Sequence, residues 1–300
     1  MGSATHWVHC VPAVHPSSVA VLGGTGFVGR AVIKALGGKG LPLVALSRRP
    51  HAQVLDGVDW QVLDQAARAP VVANIWISAA PIWVLPEYFE LMARNGVTRL
   101  VAISSTSRFT KIDSQDLAEA ATARRLEDGE EAVKRWAEDH GIHWVVLRPT
   151  LVYGLGEDKN ISSIARTIRR FGFFPLLGKA AGLRQPVHVE DVAAACVQAA
   201  LSSSVSDKAY NISGGEILPY SEMVARIFTA LGRRPITPRV PLGAFTLAVA
   251  VLKFIPQYRN WSPSMARRMN TNLVYDHSEA VRDFGFSPRR FVLRGEDFPT

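Results

Sequence analysis

Two cysteines in 300 residues, Cys10 and Cys196, are too few for a disulfide framework, so a reducing, cytoplasmic setting is expected. Cys196 lies in the alanine-rich pattern DVAAACVQAAL, which predicts a buried small hydrophobe. The opening residues lack the basic start and apolar run of a secretory signal, and 1–17 read as a loose lead-in. No apolar run reaches the roughly 20 residues that span a bilayer. The candidate segment, 240–256, is uncharged from Val240 to Leu252 and predicts a buried helix. Peripheral contact with the inner face of a membrane, a protein-complex contact and a homodimer contact are the other readings. His140 and His143 are separated by Gly141, and His6, His9 and Cys10 have no fourth ligand nearby, so no metal site is expected. There is no Gly-x-Ser-x-Gly elbow, which removes the common α/β-hydrolase reading. No basic run interleaves with aromatics, which argues against nucleic acid as a partner.

What is present suits a soluble globular chain with a substantial core: 48% apolar and 20% charged residues. The net charge of +8 is uneven, with +1 over residues 1–150 and +7 over 151–300. A basic second half attracts anions such as an anionic small-molecule substrate; general solubility charge is the alternative.

Strand-like runs at SVAVL, PLVALS, DWQVL, VVANIWIS, RLVAISS and HWVVLRP alternate with helical patterns at 27–37, 84–95 and 116–140. That rhythm predicts an α/β fold with a doubly wound parallel sheet. Only DQAARAP separates the third strand from the fourth, leaving room for little more than a turn or a stub of helix. Further helices are predicted at 161–170, 190–201 and 219–231, with short strands near PVHV and AYNIS. Residues 18–154 and 186–213 are assigned to a dinucleotide-binding domain. Residues 155–185 and 214–300 are assigned to a smaller C-terminal lobe over the strand ends, for substrate or partner.

The first strand runs into Gly23, Gly26 and Gly29 and then into a helix. A dinucleotide pyrophosphate site needs one glycine for the tight turn, one for close approach of the phosphates and one for helix–strand packing. A P-loop fails on the same residues, because Arg30 and Ala31 stand where Lys and Ser/Thr are required. The second strand ends in Ser47-Arg48-Arg49-Pro50, without the acid that grips the ribose of NAD. Arginine suits a 2′-phosphate, so NADP is the expected cofactor and NAD the less favoured one; a solvated basic turn is the alternative reading.

With these residues placed, the chain resembles the short-chain dehydrogenase/reductase superfamily, in its extended and atypical branch of NAD(P)-dependent epimerases/dehydratases. The resemblance covers most of 18–235 and implies a Rossmann-type fold. It rests on GGTGFVG, on Asp64 after the third strand and on Ser78-Ala79-Ala80 after the fourth. It continues in Ile103-Ser104-Ser105-Thr106, in Arg148-Pro149-Thr150-Leu151-Val152-Tyr153-Gly154 and in Pro186 to Val192. It implies a cofactor site of Gly23, Thr25, Gly26, Phe27, Val28, Gly29, Arg48, Arg49, Asp64, Ser78, Ala79, Ala80, Ser104 and Pro149.

Active members of that superfamily pair a serine after the fifth strand with a Tyr-x-x-x-Lys helix. The lysine lowers the phenol pKa so that the tyrosine exchanges a proton with the substrate oxygen. Ser105 matches the serine. Counting back from His140-Gly141, Leu126 and Glu130 occupy the other two places, and no tyrosine in the chain has a lysine four residues on. Ser105 and Tyr153 are therefore the catalytic candidates, with Lys111 and the Glu127, Glu130 and Glu131 cluster as further ones. Each has a structural alternative: a backbone hydrogen bond for Ser105, loop support for Tyr153 and a solvated helix face for the glutamates. The resemblance implies an oxidoreductase or epimerase acting at a carbonyl or hydroxyl carbon of an anionic small molecule such as a nucleotide-sugar. The alternative is a non-catalytic NADP(H)-binding scaffold or redox sensor, similar to the dinucleotide-binding accessory subunit of respiratory complex I.

Overall fold

A computed structural model describes residues 17–50, 56–66, 71–111, 114, 116–245 and 263–299. In chain order the first half forms β1 (Val19–Leu22), α1 (Phe27–Leu36), β2 (Leu43–Ser47), β3 (Val58–Val62), α2 (Leu63–Ala66), β4 (Ile75–Ser78), α3 (Phe89–Arg94), β5 (Arg99–Ile103), α4 (Ser107–Thr110), α5 (Leu117–Asp139) and β6 (His143–Pro149). The second half forms β7 (Val152–Tyr153), α6 (Ile161–Phe171), β8 (Leu176–Leu177), β9 (Leu183–Arg184), β10 (Val187–His188), α7 (Val189–Leu201), β11 (Lys208–Ile212), β12 (Leu218–Pro219), α8 (Tyr220–Ala230) and β13 (Arg239–Val240). Two more helices follow, Pro263–Asn270 and Ser278–Phe284.

Seven strands pair in parallel in the order β11-β6-β5-β4-β1-β2-β3. Period-two alternation decides which side chain meets which layer. Val19 and Val21 enter one core with Val32, Ile33 and Leu36 of α1 and Val192 and Cys196 of α7. Ala20 and Leu22 enter the other with Met92 of α3 and Leu126 and Val133 of α5. Both faces of β1 are sealed, which is why its sequence is apolar throughout. Cys196 is buried, and burial pushes its thiol pKa up to about 12. The strand order reverses between β1 and β4, which in open α/β sheets is the place of the ligand crevice, beyond the strand C-termini.

Local chemistry sets the ends of the elements. The Asp116 carboxylate caps α5 by accepting from the amides of Ala118 and Glu119, and Gly141 leaves the helix at φ +64°. The helix expected over 84–95 divides instead into a 3-10 helix, Ile82–Tyr88, and α3, because Pro86 has no N–H for the α-helical ladder. A smaller lobe packs Ile161, Ile164 and Ile168 of α6 against Met223, Val224 and Phe228 of α8, with Phe245, Phe291 and Phe298. Cys10, the lead-in up to residue 16, and residues 246–256 of the apolar segment lie outside the described residues. No helix among the described residues is long and apolar enough to cross a membrane.

Candidate active site

The glycine turn performs three separate steric tasks. Gly23 adopts φ +80°, and a Cβ there would stand 2.9 Å from the Ala80 amide nitrogen. Gly26 opens α1 with its amide bonded to the Gly23 carbonyl oxygen (2.9 Å) and no side-chain cap. A Cβ on Gly29 would lie 2.1 Å from that same oxygen, so α1 packs on the turn only with glycine in this place. The amides of Phe27, Val28 and Gly29 precede the first intrahelical acceptor, leaving the positive end of α1 bare. A pyrophosphate fits this cradle: a side chain would fill it, and unpartnered amides face it. Thr25 is exposed on the turn; its carbonyl accepts from Arg30, which also pairs with Glu157 of the β7–α6 loop. Ala79 bonds the Leu22 carbonyl oxygen across the mouth of the crevice, and beside it the buried Ser78 hydroxyl has no partner.

At the end of β2 the Ser47 hydroxyl donates to the Arg49 carbonyl oxygen (2.5 Å) and shapes the turn. Arg48 and Arg49 are both exposed there, with no ion-pair partner among the described residues. Tyr88 was not anticipated. Burial first, and then Glu87, raise its phenol pKa; Arg48 opposes and Asp64 adds to the rise. Tyr88, Arg48 and Asp64 thus share one electrostatic neighbourhood on the β2–β3 side.

On the other side of the crevice, beyond β5, the Ser105 hydroxyl accepts from the Ser107 amide (3.1 Å) in a local turn. The buried hydroxyl of Ser104, expected at the cofactor, donates to the Glu130 carboxylate. Glu130 corrects the expectation of a solvated helix face. It is 5% exposed and is held by Arg148, Arg108 and Ser104. Its partners come from β5, α4 and β6, which helical spacing alone does not reveal. Glu127 and Glu131 are exposed, as expected of that face. Leu126 is buried in the sheet core, and α5 contains no tyrosine. Lys111 faces the lobe, where burial and then Arg268 lower its pKa.

Tyr153 does not reach the crevice. It is fully buried, edge-on to His188 (5.1 Å) and Phe291 (5.0 Å). Burial raises its pKa, which corrects its candidacy for proton transfer. Its neighbour His188 caps α7 by accepting from the Glu190 amide, and its Nε2 donates to Asp297 (3.0 Å).

A different phenol stands at the β5 exit. Tyr275, in the segment between the last two helices, places its hydroxyl 3.4 Å from the Thr106 carbonyl oxygen, its ring 5.9 Å from Phe109. Its amide donates to Gln185 and its carbonyl accepts from Ser213, so the lobe holds it in place. The two residues are 169 apart in sequence, and no local spacing signals the pair.

Comparison with known proteins agrees with this geometry. The family model described as NAD dependent epimerase/dehydratase family matches residues 87–213. The chain is 26% identical over 319 aligned positions to the 2-alkyl-3-oxoalkanoate reductase of Stenotrophomonas maltophilia (strain K279a), covering 92% of this chain and 96% of that one. It is 25% identical to the mitochondrial NADH dehydrogenase [ubiquinone] 1 alpha subcomplex subunit 9 of Arabidopsis thaliana, over 69% of this chain and 52% of that one. In three dimensions it is similar to MoeE5 solved in complex with UDP-glucose and NAD, with a TM-score of 0.67, 22% identity and coverage of 91% and 94%. Over residues 87–213 the chain is similar to the NAD dependent epimerase/dehydratase family, and as a whole it has the fold of epimerase/dehydratase structures.

Proposed function

We propose that this protein is an NADP-dependent oxidoreductase or epimerase acting at a carbonyl or hydroxyl carbon of an anionic small molecule, of which nucleotide-sugars are one class. NADP is supported by Arg48 and Arg49, exposed where an NAD-specific site presents a carboxylate. An anionic substrate is supported by the +7 balance of residues 151–300.

The observation that carries the catalytic reading is the Tyr275 hydroxyl at the β5 exit, 3.4 Å from the carbonyl oxygen of Thr106, the residue after Ser105. When bound, the dinucleotide supplies or accepts the hydride. In the reducing direction Ser105 orients the carbonyl oxygen, and Tyr275 donates its proton to that oxygen as the carbon is reduced. Water then reprotonates the phenol. Burial raises the Tyr275 pKa, which keeps the proton on the phenol at neutral pH. The test is NADPH oxidation against nucleotide-sugars and small carbonyls, with Tyr275→Phe beside the unchanged chain. Turnover lost in the variant, with NADPH binding kept, supports the reading.

A second reading, a non-catalytic NADP(H)-binding scaffold, is favoured by one observation: α5 has no tyrosine, and Glu130 is committed to Arg148 and Arg108. Tight NADPH binding without turnover of any panel member decides for the scaffold.

A further inference from the structure

Two parts of the lobe carry no acidic residue at all: Lys159 to Val189, and Met223 to Tyr275. The fold brings them together. β13 pairs with β8, and the ladder extends outward through Phe174 N–H to the Ile236 carbonyl oxygen (3.0 Å) and Gly178 N–H to that of Val240 (2.9 Å). Arg233 ties the same strip to the end of α6 by donating to the Ile168 carbonyl oxygen (2.8 Å).

The resulting edge gathers unpaired cations around exposed apolar side chains. Arg166, Arg170, Lys179, Arg234 and Arg239 are exposed, and none forms an ion pair among the described residues. By contrast, Arg148, Arg226 and Arg289 are each held by carboxylates. Between the free cations stand exposed apolar side chains: Phe171 (57%), Phe173 (41%), Ile236 (57%) and Leu242 (47%). Phe171 and Phe173 lie 6.3 Å apart, and the Arg170 guanidinium sits over the Phe171 ring. Solubility alone explains the charges but not the four apolar groups placed among them.

We propose that this edge, the end of α6 with the β8–β13 ladder, docks the protein on the surface of a bilayer containing anionic phospholipid. Unpaired arginines and a lysine meet the headgroup phosphates, while the apolar side chains enter the boundary of the acyl layer. Ile236 and Leu242 separate this reading from nucleic-acid binding. Aliphatic side chains do not stack on bases and gain only by leaving water. The inference is independent of the catalytic reading, since the edge shares no residue with the crevice.

Sedimentation of the full chain with vesicles tests it. Retention is expected on phosphatidylcholine vesicles containing about one third phosphatidylglycerol and not on phosphatidylcholine alone. Arg170→Ser with Arg234→Ser should lower the partition coefficient about fivefold for each charge removed. Phe171→Ser should remove the part of the binding that survives high salt. All three side chains are exposed, so thermal melting should not change. Equal retention on both vesicles, no retention, variants that bind as the parent does, or capture by a single-stranded oligonucleotide instead of vesicles would each overturn the proposal.

Discussion

Glu130 holds Arg148 with both carboxylate oxygens, the guanidinium Nε lying 3.1 and 3.0 Å from them. Arg108 and Ser104 bind the same carboxylate, so one buried charge ties α5 to β5, α4 and β6. Removing it leaves Arg148, 18% exposed, without a counter-ion and Arg108 with only the exposed Glu127. Glu130→Ala should destabilise the fold by about 3–5 kcal/mol, read from the urea midpoint. A variant of unchanged stability would mean that the pair contributes nothing net.

The two tyrosines near the crevice should respond in opposite ways. Tyr275→Phe is expected to lower turnover by about 100-fold or more while leaving NADPH affinity in place. Tyr153→Phe removes a fully buried hydroxyl away from the reacting groups, so turnover should stay level and stability should change by about 1.5 kcal/mol at most. Because burial lifts Tyr275 above the ordinary phenol value of about 10, its deprotonation should not depress the reductive rate below that pH. A loss of rate centred well below pH 10 and absent in Tyr275→Phe would contradict the assignment.

Cofactor preference rests on the β2 turn. Arg48→Ala and Arg49→Ala should each lose about 1.5–3 kcal/mol in NADPH binding, with little change for NADH. Calorimetry with both nucleotides checks this. Equal losses for the two would remove the 2′-phosphate from the account.

The buried Asp297 gives a pH-dependent contribution to stability. Burial opposes its charge, but His188 and the amides of Arg294 and Leu155 outweigh burial and hold its pKa below the usual carboxylate range. A lowered folded-state pKa stabilises above the unfolded value, near 3.9, and that contribution is lost as pH falls through the folded value. Asp297→Asn should therefore be less stable by about 1–3 kcal/mol at neutral pH. The gap should close as the pH is taken below about 4. A gap that persists in acid would assign the loss to packing.

Much of this protein follows from local rules that act on neighbouring residues. Val19 to Leu22 reads as a doubly covered strand because both faces of a parallel sheet exclude water. Gly23, Gly26 and Gly29 read as a phosphate turn because steric limits act over one helical turn. The limits of α5 follow from a carboxylate cap and a left-handed glycine. Arg48 and Arg49 are legible because their place is counted from that turn.

What the chain alone did not disclose lies between elements distant in sequence. Glu130 had the place of a solvated helix-face residue, and only the approach of Arg148 from β6 and Arg108 from α4 turned it inward. Tyr153 had the motif position of a site residue, and only the lobe packing Phe291 and His188 around it closed it off. Tyr275 had no motif, and folding brought it to Thr106. Burial and electrostatic partnership depend on which surfaces meet, and that is decided when layers and lobe close together, not by the order of residues along any one helix or strand.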